Sequence, residues 1–222
     1  MVFYILNSFF CRLFSIKIYP VKQKVIVILS VLGIALLCNF YLKNNSADID
    51  ISTNVVDKTL DKAEEIKTFL KKNTKYNKEV FFLLDMRIPS NKYRFFVYNT
   101  KKNQITDSGL VAHGSGSETE TEELKFSNTD GSLMTSLGKY YIGNSYNGTF
   151  GKAYKMYGLD TTNNNAYLRN IALHSHKKMP YEEQISPIVL SWGCPMLNEK
   201  FYLRIQDILD KSDKNVLMYI YY

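Results

Sequence analysis

"SWGCPML", residues 191–197, sets a cysteine between a glycine and a proline and runs on into an apolar pair. Pro195 steers Cys194 toward an extended backbone. Gly193 lets main chain and ligand approach each other with no side chain between them. The N–H groups of Gly193 and Cys194 are therefore candidates for holding a developing oxyanion. An unassisted cysteine is only a few per cent thiolate at neutral pH, so a nucleophilic Cys194 requires a base. The plain alternative is a small buried hydrophobe, a common fate of a free cysteine.

The base is sought upstream, in "RNIALHSH", residues 169–176. A strand period of two puts Ile171, Leu173 and Ser175 on one face and Ala172, His174 and His176 on the other, with the two imidazoles roughly 7 Å apart. A neutral imidazole beside Cys194 would take the thiol proton and leave the nucleophile of a covalent acyl-transfer mechanism. His113, His174, His176 and Cys194 also form a reasonable zinc set, but no carboxylate stands at a diagnostic spacing. No metal or other cofactor is expected.

Downstream, Asn198 is placed as the N-cap of a helix whose apolar stripe is Phe201, Ile205, Ile208 and Leu209, and "VLMYIYY" closes the chain as a strand. Upstream, "EVFFLLDM", "YRFFVYN" and "QITDSGLVA" are separated by "PSNK" and "TKKNQ", which reads as an antiparallel meander beginning near Val80. Residues 114–159 are rich in Gly, Ser, Asn and Tyr and suggest long loops over a sheet. Most of those tyrosines are expected in the core, with Tyr141 retained as a candidate groove residue. "DKTLDKAEEIKTFLKKN", residues 57–73, has the period of a surface helix.

The N-terminal part is of another kind. "VIVILSVLGIALLCNFYL", residues 25–42, carries no charge and as a helix would rise about 27 Å, close to the hydrocarbon thickness of a bilayer. Lys17, Lys22 and Lys24 precede it and Lys43 follows, which keeps the N-terminus in the cytoplasm and exports the remainder. Residues 1–46 hold five basic and no acidic side chains, while the rest of the chain holds 23 basic and 21 acidic ones. The net charge of +7 is thus a topology signal, and no nucleic-acid partner is expected. Of Cys11, Cys38 and Cys194, only Cys194 would be exported, which leaves it no intramolecular disulfide partner. The expected layout is a cytoplasmic segment at 1–24, an anchor or uncleaved signal at 25–42, a linker with an amphipathic helix at 43–79, and a catalytic domain at 80–222.

His174, then sixteen intervening residues, then Ser191-x-Gly193-Cys194 resembles the signature of the L,D-transpeptidase catalytic domain. "VAHGSGS", "KFSN", "SLGKYYIG", "YNGTFGKAYKMYGLD", "NNAYLRNIALH" and "SWGCPML" are similar, in order, to successive blocks of the murein branch that carries Trp in place of the second motif histidine. The resemblance implies a mainly β fold with minor α content, an L,D-transpeptidase-type β-sandwich following a single transmembrane helix. It implies that Cys194 attacks the diaminopimelate carbonyl of a peptidoglycan stem peptide, releases the terminal D-residue and passes the acyl group to an amine of another stem. By motif position His174 is the base, the Ser175 carbonyl orients it, and the Gly193 and Cys194 amides form the oxyanion hole. His113, His176, Ser191, Trp192 and Tyr141 are the expected substrate-binding residues. The expected protein is a monomer, anchored in the inner membrane of a bacterial envelope with its catalytic domain in the periplasm.

Two departures bear on this. Trp192 removes any role of a histidine side chain at that position. Val189-Leu190 stands where that branch usually has Gly-Arg, so the cation that would hold a carboxylate is missing, and Lys177 and Lys178 are the candidates to replace it. An L,D-carboxypeptidase, with water as acceptor, and a catalytically impaired peptidoglycan-binding module are the alternatives.

Overall fold

The computed structural model describes residues 58–121 and 123–222, together with Gly33. The described part from residue 58 onward lies in one compact unit, Asp57–Tyr222. Among the described residues no helix is long and apolar enough to cross a membrane. The run at 25–42, expected as an anchor, lies outside them.

The order of elements is helix α1 (residues 58–72), β1 (Tyr76–Asp85), β2 (Phe95–Asn99), β3 (Gln104–Gly109), β4 (Val111–Ala112), β5 (Gly138–Gly148), β6 (Gly151–Gly158), β7 (Ala172–Ser175), β8 (Met196–Leu197), helix α2 (Glu199–Asp210) and β9 (Asn215–Tyr221). Among the described residues the nine strands form one sheet in the order β3-β2-β1-β9-β5-β6-β7-β8-β4. β1, β2 and β3 are the antiparallel meander read from the sequence. β9 enters the middle, parallel to β1 and antiparallel to β5. The strands at the two ends of the sheet, β3 and β4, are separated in sequence only by Leu110, so the sheet must bend back on itself. The expected sandwich thus takes the form of one continuous bent sheet.

The run "FFLL" in β1 shows why the central strands lack polar alternation. Phe82 and Leu84 enter one core with Phe95, Tyr140, Met218 and the α2 residues Phe201, Tyr202 and Ile205. Phe81 and Leu83 enter a second core with Tyr98, Leu217 and the α1 residues Ala63, Ile66 and Leu70. A strand covered on both faces must be apolar at every position. The apolar stripe of α1 is what covers the second face, so this helix packs on the sheet rather than merely leading to it.

Strand alternation also decides the tyrosines. Tyr140 and Ile142 belong to the first core, whereas Tyr141 faces the second, where its ring stacks on Tyr157 at 4.6 Å and lies 6.0 Å from Tyr76. The expectation that Tyr141 lines a substrate groove is therefore corrected: it packs beside α1.

α2 starts as the sequence indicates. The Asn198 side chain accepts from the Lys200 N–H at 2.8 Å, satisfying one of the helix's unpaired donors. Its amide nitrogen donates to the Met179 carbonyl at 2.6 Å, tying the loop after β7 to the helix start. The Tyr202 hydroxyl lies 3.0 Å from the Leu173 carbonyl, so α2 is fastened to β7 one residue before His174.

Candidate active site

β7 and β8 run parallel with His174 opposite Met196 and Ser175 opposite Leu197. Cys194 lies in the bend that leads into β8, two residues before Met196, and lines the same cavity as His174. Ser191 is fastened independently. It bridges Gly114, donates its N–H to the His113 carbonyl at 2.9 Å, and accepts from the Ser115 N–H at 2.8 Å. Between these two anchorages Gly193 takes a φ of +111°, and a Cβ there would stand 2.9 Å from the Met134 carbonyl. Only glycine meets both conditions without strain.

A cavity of about 400 Å³ opens over this junction. Its polar lining is His174, His176, Lys178, Ser191 and Cys194, and its apolar lining is Phe150, Val189, Leu190, Trp192 and Met196. Trp192 is 79% exposed and Phe150 54%. Phe150 sits at the tip of the β5–β6 hairpin, where Gly148 pairs with Gly151. Its ring stacks on His174 at 5.2 Å and meets His176 edge-on at 5.1 Å.

The His174 ring is oriented through one nitrogen. Nδ1 lies 3.0 Å from the Ser175 carbonyl, and since a carbonyl only accepts, Nδ1 carries the proton. Nε2 is then the basic nitrogen and has no hydrogen-bond partner among the described residues. Burial lowers the pKa of His174 below the usual imidazole value, and neighbouring His176 lowers it further, against the opposing effect of the Ser175 bond. Cys194 is half-buried, and burial raises its pKa above that of an ordinary thiol. Opposing this are the Ala172 N–H, which points at Sγ from 3.4 Å, and the charges of Lys155 and Arg169. Thiol and imidazole are thus both held in their neutral forms.

The amides fare differently from one another. The Gly193 N–H donates to the Ser191 hydroxyl at 3.1 Å, whereas the Cys194 N–H has no such partner among the described residues. An oxyanion would meet the Cys194 amide free and the Gly193 amide only after Ser191 yields.

Of the other residues singled out from the sequence, His176 lines the cavity, with its Nδ1 accepting from the Lys178 N–H at 3.3 Å. Lys178 lines it too, and Lys177 does not. His113 stands apart. It is 2% exposed, with Nδ1 at 2.7 Å from an Arg94 nitrogen and Nε2 at 2.7 Å from Glu118. A guanidinium can only donate, so Nδ1 accepts and Nε2–H donates to the carboxylate. Its side chain holds the loop behind Ser191 and does not line the cavity. With His113 so engaged, the zinc set is not assembled, and among the described residues no cluster of three or more His, Cys, Asp or Glu is placed to hold a metal ion. Phe150, Lys155, Asn170 and Met196 were not found from the sequence. The first is a hairpin-tip residue in a glycine-rich tract, Lys155 and Asn170 come to Cys194 through the packing of β6 and β7, and Met196, two residues on from Cys194, lines the cavity beside it.

A model of the L,D-transpeptidase catalytic domain matches residues 48–221. Among solved structures, the helical cell shape determining protein of Campylobacter jejuni is similar at 16% identity and a TM-score of 0.42, covering 64% of this chain and 46% of that one. An L,D-transpeptidase from Mycobacterium smegmatis gives 10% identity and 0.39, covering 65% and 59%. One from Xylanimonas cellulosilytica gives 13% and 0.35, covering 64% and 60%. This chain therefore spans about half to three fifths of the length of these structures. No curated protein matches it. With a family model covering most of its length, the chain belongs to the L,D-transpeptidase catalytic domain family.

Proposed function

We propose that this protein is a cysteine acyltransferase acting on peptidoglycan stem peptides, with Cys194 as nucleophile and His174 as base. The reading is carried by one observation: Cys194 and a His174 whose Nδ1–H is fixed by the Ser175 carbonyl face the same cavity. Nε2 of His174 takes the thiol proton as Sγ attacks the donor carbonyl. The tetrahedral oxyanion is held by the Cys194 amide, joined by the Gly193 amide once Ser191 releases it. Collapse breaks the C–N bond to the terminal D-residue, His174 returns the proton to the departing amine, and a thioester remains. An amine of a second stem attacks that thioester, giving back the thiol and a new amide. Water in place of the amine gives an L,D-carboxypeptidase by the same first step.

The apolar walls Leu190, Trp192 and Phe150 would flank the stem, and Lys178 is the cation positioned to meet its carboxylate, in the place of the missing arginine. His176 and Ser191 complete the binding wall. In this reading residues 25–42 anchor the chain in the inner membrane, a linker follows from residue 43, and the domain, with α1 packed on its sheet, works on the cell wall in the envelope.

Intact-mass measurement of the protein with a disaccharide tetrapeptide or a carbapenem, beside Cys194→Ala, tests the proposal. An acyl adduct lost in the variant is expected. A wild-type protein that binds peptidoglycan yet forms no adduct would instead be the catalytically impaired binding module.

A further inference from the structure

Besides His174, Cys194 has neighbours on β6 and at the start of β7, and these are fixed by bonds of their own. Lys155 of β6 pairs with Ala172 of β7, the residue whose N–H points at Sγ from 3.4 Å. The Lys155 ammonium donates to the Asn170 side-chain oxygen at 3.0 Å, and the carbonyl of the same Asn170 lies 3.8 Å from Sγ. Asn170 has a φ of +56°, a left-handed conformation that asparagine tolerates better than most residues. One short segment, 170–172, thus touches both the ammonium and the sulfur.

The Lys155 charge is not neutralised where it sits. Among the described residues no carboxylate pairs with it. Its ammonium lies 5.2 Å from the Tyr146 ring centre and 5.8 Å from that of Tyr167, and ring faces attract a cation without cancelling its charge. Half-buried, it is screened less than a free surface lysine.

The other charged or titratable groups facing Cys194 are Arg169, Lys178, His174, His176 and Tyr146. Arg169 is fastened to the loop beneath Gly193, donating to Ser127, Ser132, Ser136 and Met134, and its charge also acts on Cys194. Lys178 lies across the cavity in the loop after β7. Lys155 is the cation tied to the segment that holds the sulfur.

Resting on the assignment of Cys194 as nucleophile, we propose that Lys155, braced by Asn170, is the fixed positive charge against which the Cys194 thiolate forms, and so a positioning residue for the reaction. The proton leaves to His174, and the negative charge left on sulfur is favoured by the nearby ammonium. Burial opposes that ionisation, and Lys155 is among the groups that offset it.

The test is the pH dependence of Cys194 alkylation by iodoacetamide in the full chain, read by peptide mass spectrometry from pH 5.5 to 9.5. Lys155→Gln removes the charge and keeps a donor for Asn170, whereas Lys155→Arg keeps the charge. The expected result is a Gln profile displaced to higher pH, with alkylation at pH 7 slower by about threefold or more, as follows from removing one nearby unit charge. The Arg variant should stay close to wild type. An unshifted Gln profile overturns the proposal, and so does an equal shift in both variants, which would make shape rather than charge the cause. Should Lys155→Gln fail to fold, Asn170→Gly carries the test, since glycine keeps the φ and removes the brace; an unshifted profile there overturns it equally. Alkylation needs no peptide substrate, so failure to form a carbapenem adduct would sink the acyl-transfer reading and leave this measurement standing.

Discussion

At the scale of single residues, the pair Cys194 and His174 makes a definite claim about pH. Burial lowers the histidine and raises the thiol, so the resting pair is neutral and His174, the proposed base, is free to accept a proton. Protonating His174 removes that base, and because its pKa is depressed, this happens below the ordinary imidazole value of about 6.5. The rate of acylation by a carbapenem should therefore hold on acidification through pH 6.5 and decline only below it. His174→Gln should lower the rate by roughly 10²- to 10⁴-fold and erase that acid limb. A wild-type limb centred above pH 6.5, or one that survives in the Gln variant, would remove His174 from the role of base. That both residues line one cavity was legible from motif spacing. His113 was misread for the converse reason: "AHG" says nothing of Arg94, nineteen positions earlier, whose guanidinium occupies the imidazole at 2.7 Å. Tyr141 shows the same limit, because a residue's face is known only once its strand's register is.

At the scale of elements, the helices and the meander could be read because their patterns are local. Asn198 before an apolar stripe, and apolar runs divided by turn residues, need no distant partner to be recognised. The β5–β6 hairpin could not. Gly143, Asn144, Asn147 and Gly148 interrupt its alternation, and its outer half is exposed, so residues 114–159 resemble loop. Yet this hairpin carries Phe150 to both histidines. Much of that ring is in solvent, so Phe150→Ala should change folding stability by no more than about 0.5 kcal/mol, as surface substitutions usually do. Acylation of Cys194 should nevertheless slow, because the His174 ring loses its stacked neighbour and the cavity one wall. Urea denaturation beside adduct formation separates the two effects. A variant with wild-type acylation would show that the tip is a bystander, and one with a large stability loss would show that the hairpin is structural.

At the scale of the whole molecule, two buried histidines tie the site to folding stability. Arg94, fully buried, donates to the carbonyls of Val111 and Ile88 and to His113, and burial brings its pKa down to about 10. Burial and this neighbouring charge lower His113 despite its bond to Glu118, as burial lowers His174. An unfolded chain takes up protons on both imidazoles near their ordinary value, and the folded chain does so only at lower pH. The sign follows: stability is fully present above about pH 6.5 and is lost as pH falls toward the depressed folded values. The slope is at most about 1.4 kcal/mol per pH unit for each histidine. Glu65, Glu183 and Asp210, whose pKa values are also lowered, act in a separate window below their ordinary carboxylate values, about pH 4. The urea midpoint should therefore fall between pH 7 and pH 5, before any carboxylate is involved. His113→Gln should start lower at pH 7, having lost the relay between Arg94 and Glu118, but decline less steeply. A midpoint constant from pH 7 to pH 5 would mean that the folded and unfolded chains bind protons alike there, so that neither imidazole is kept neutral by the fold. The low-pH readiness argued for His174 as a base would lose its support with it, because both rest on the same burial.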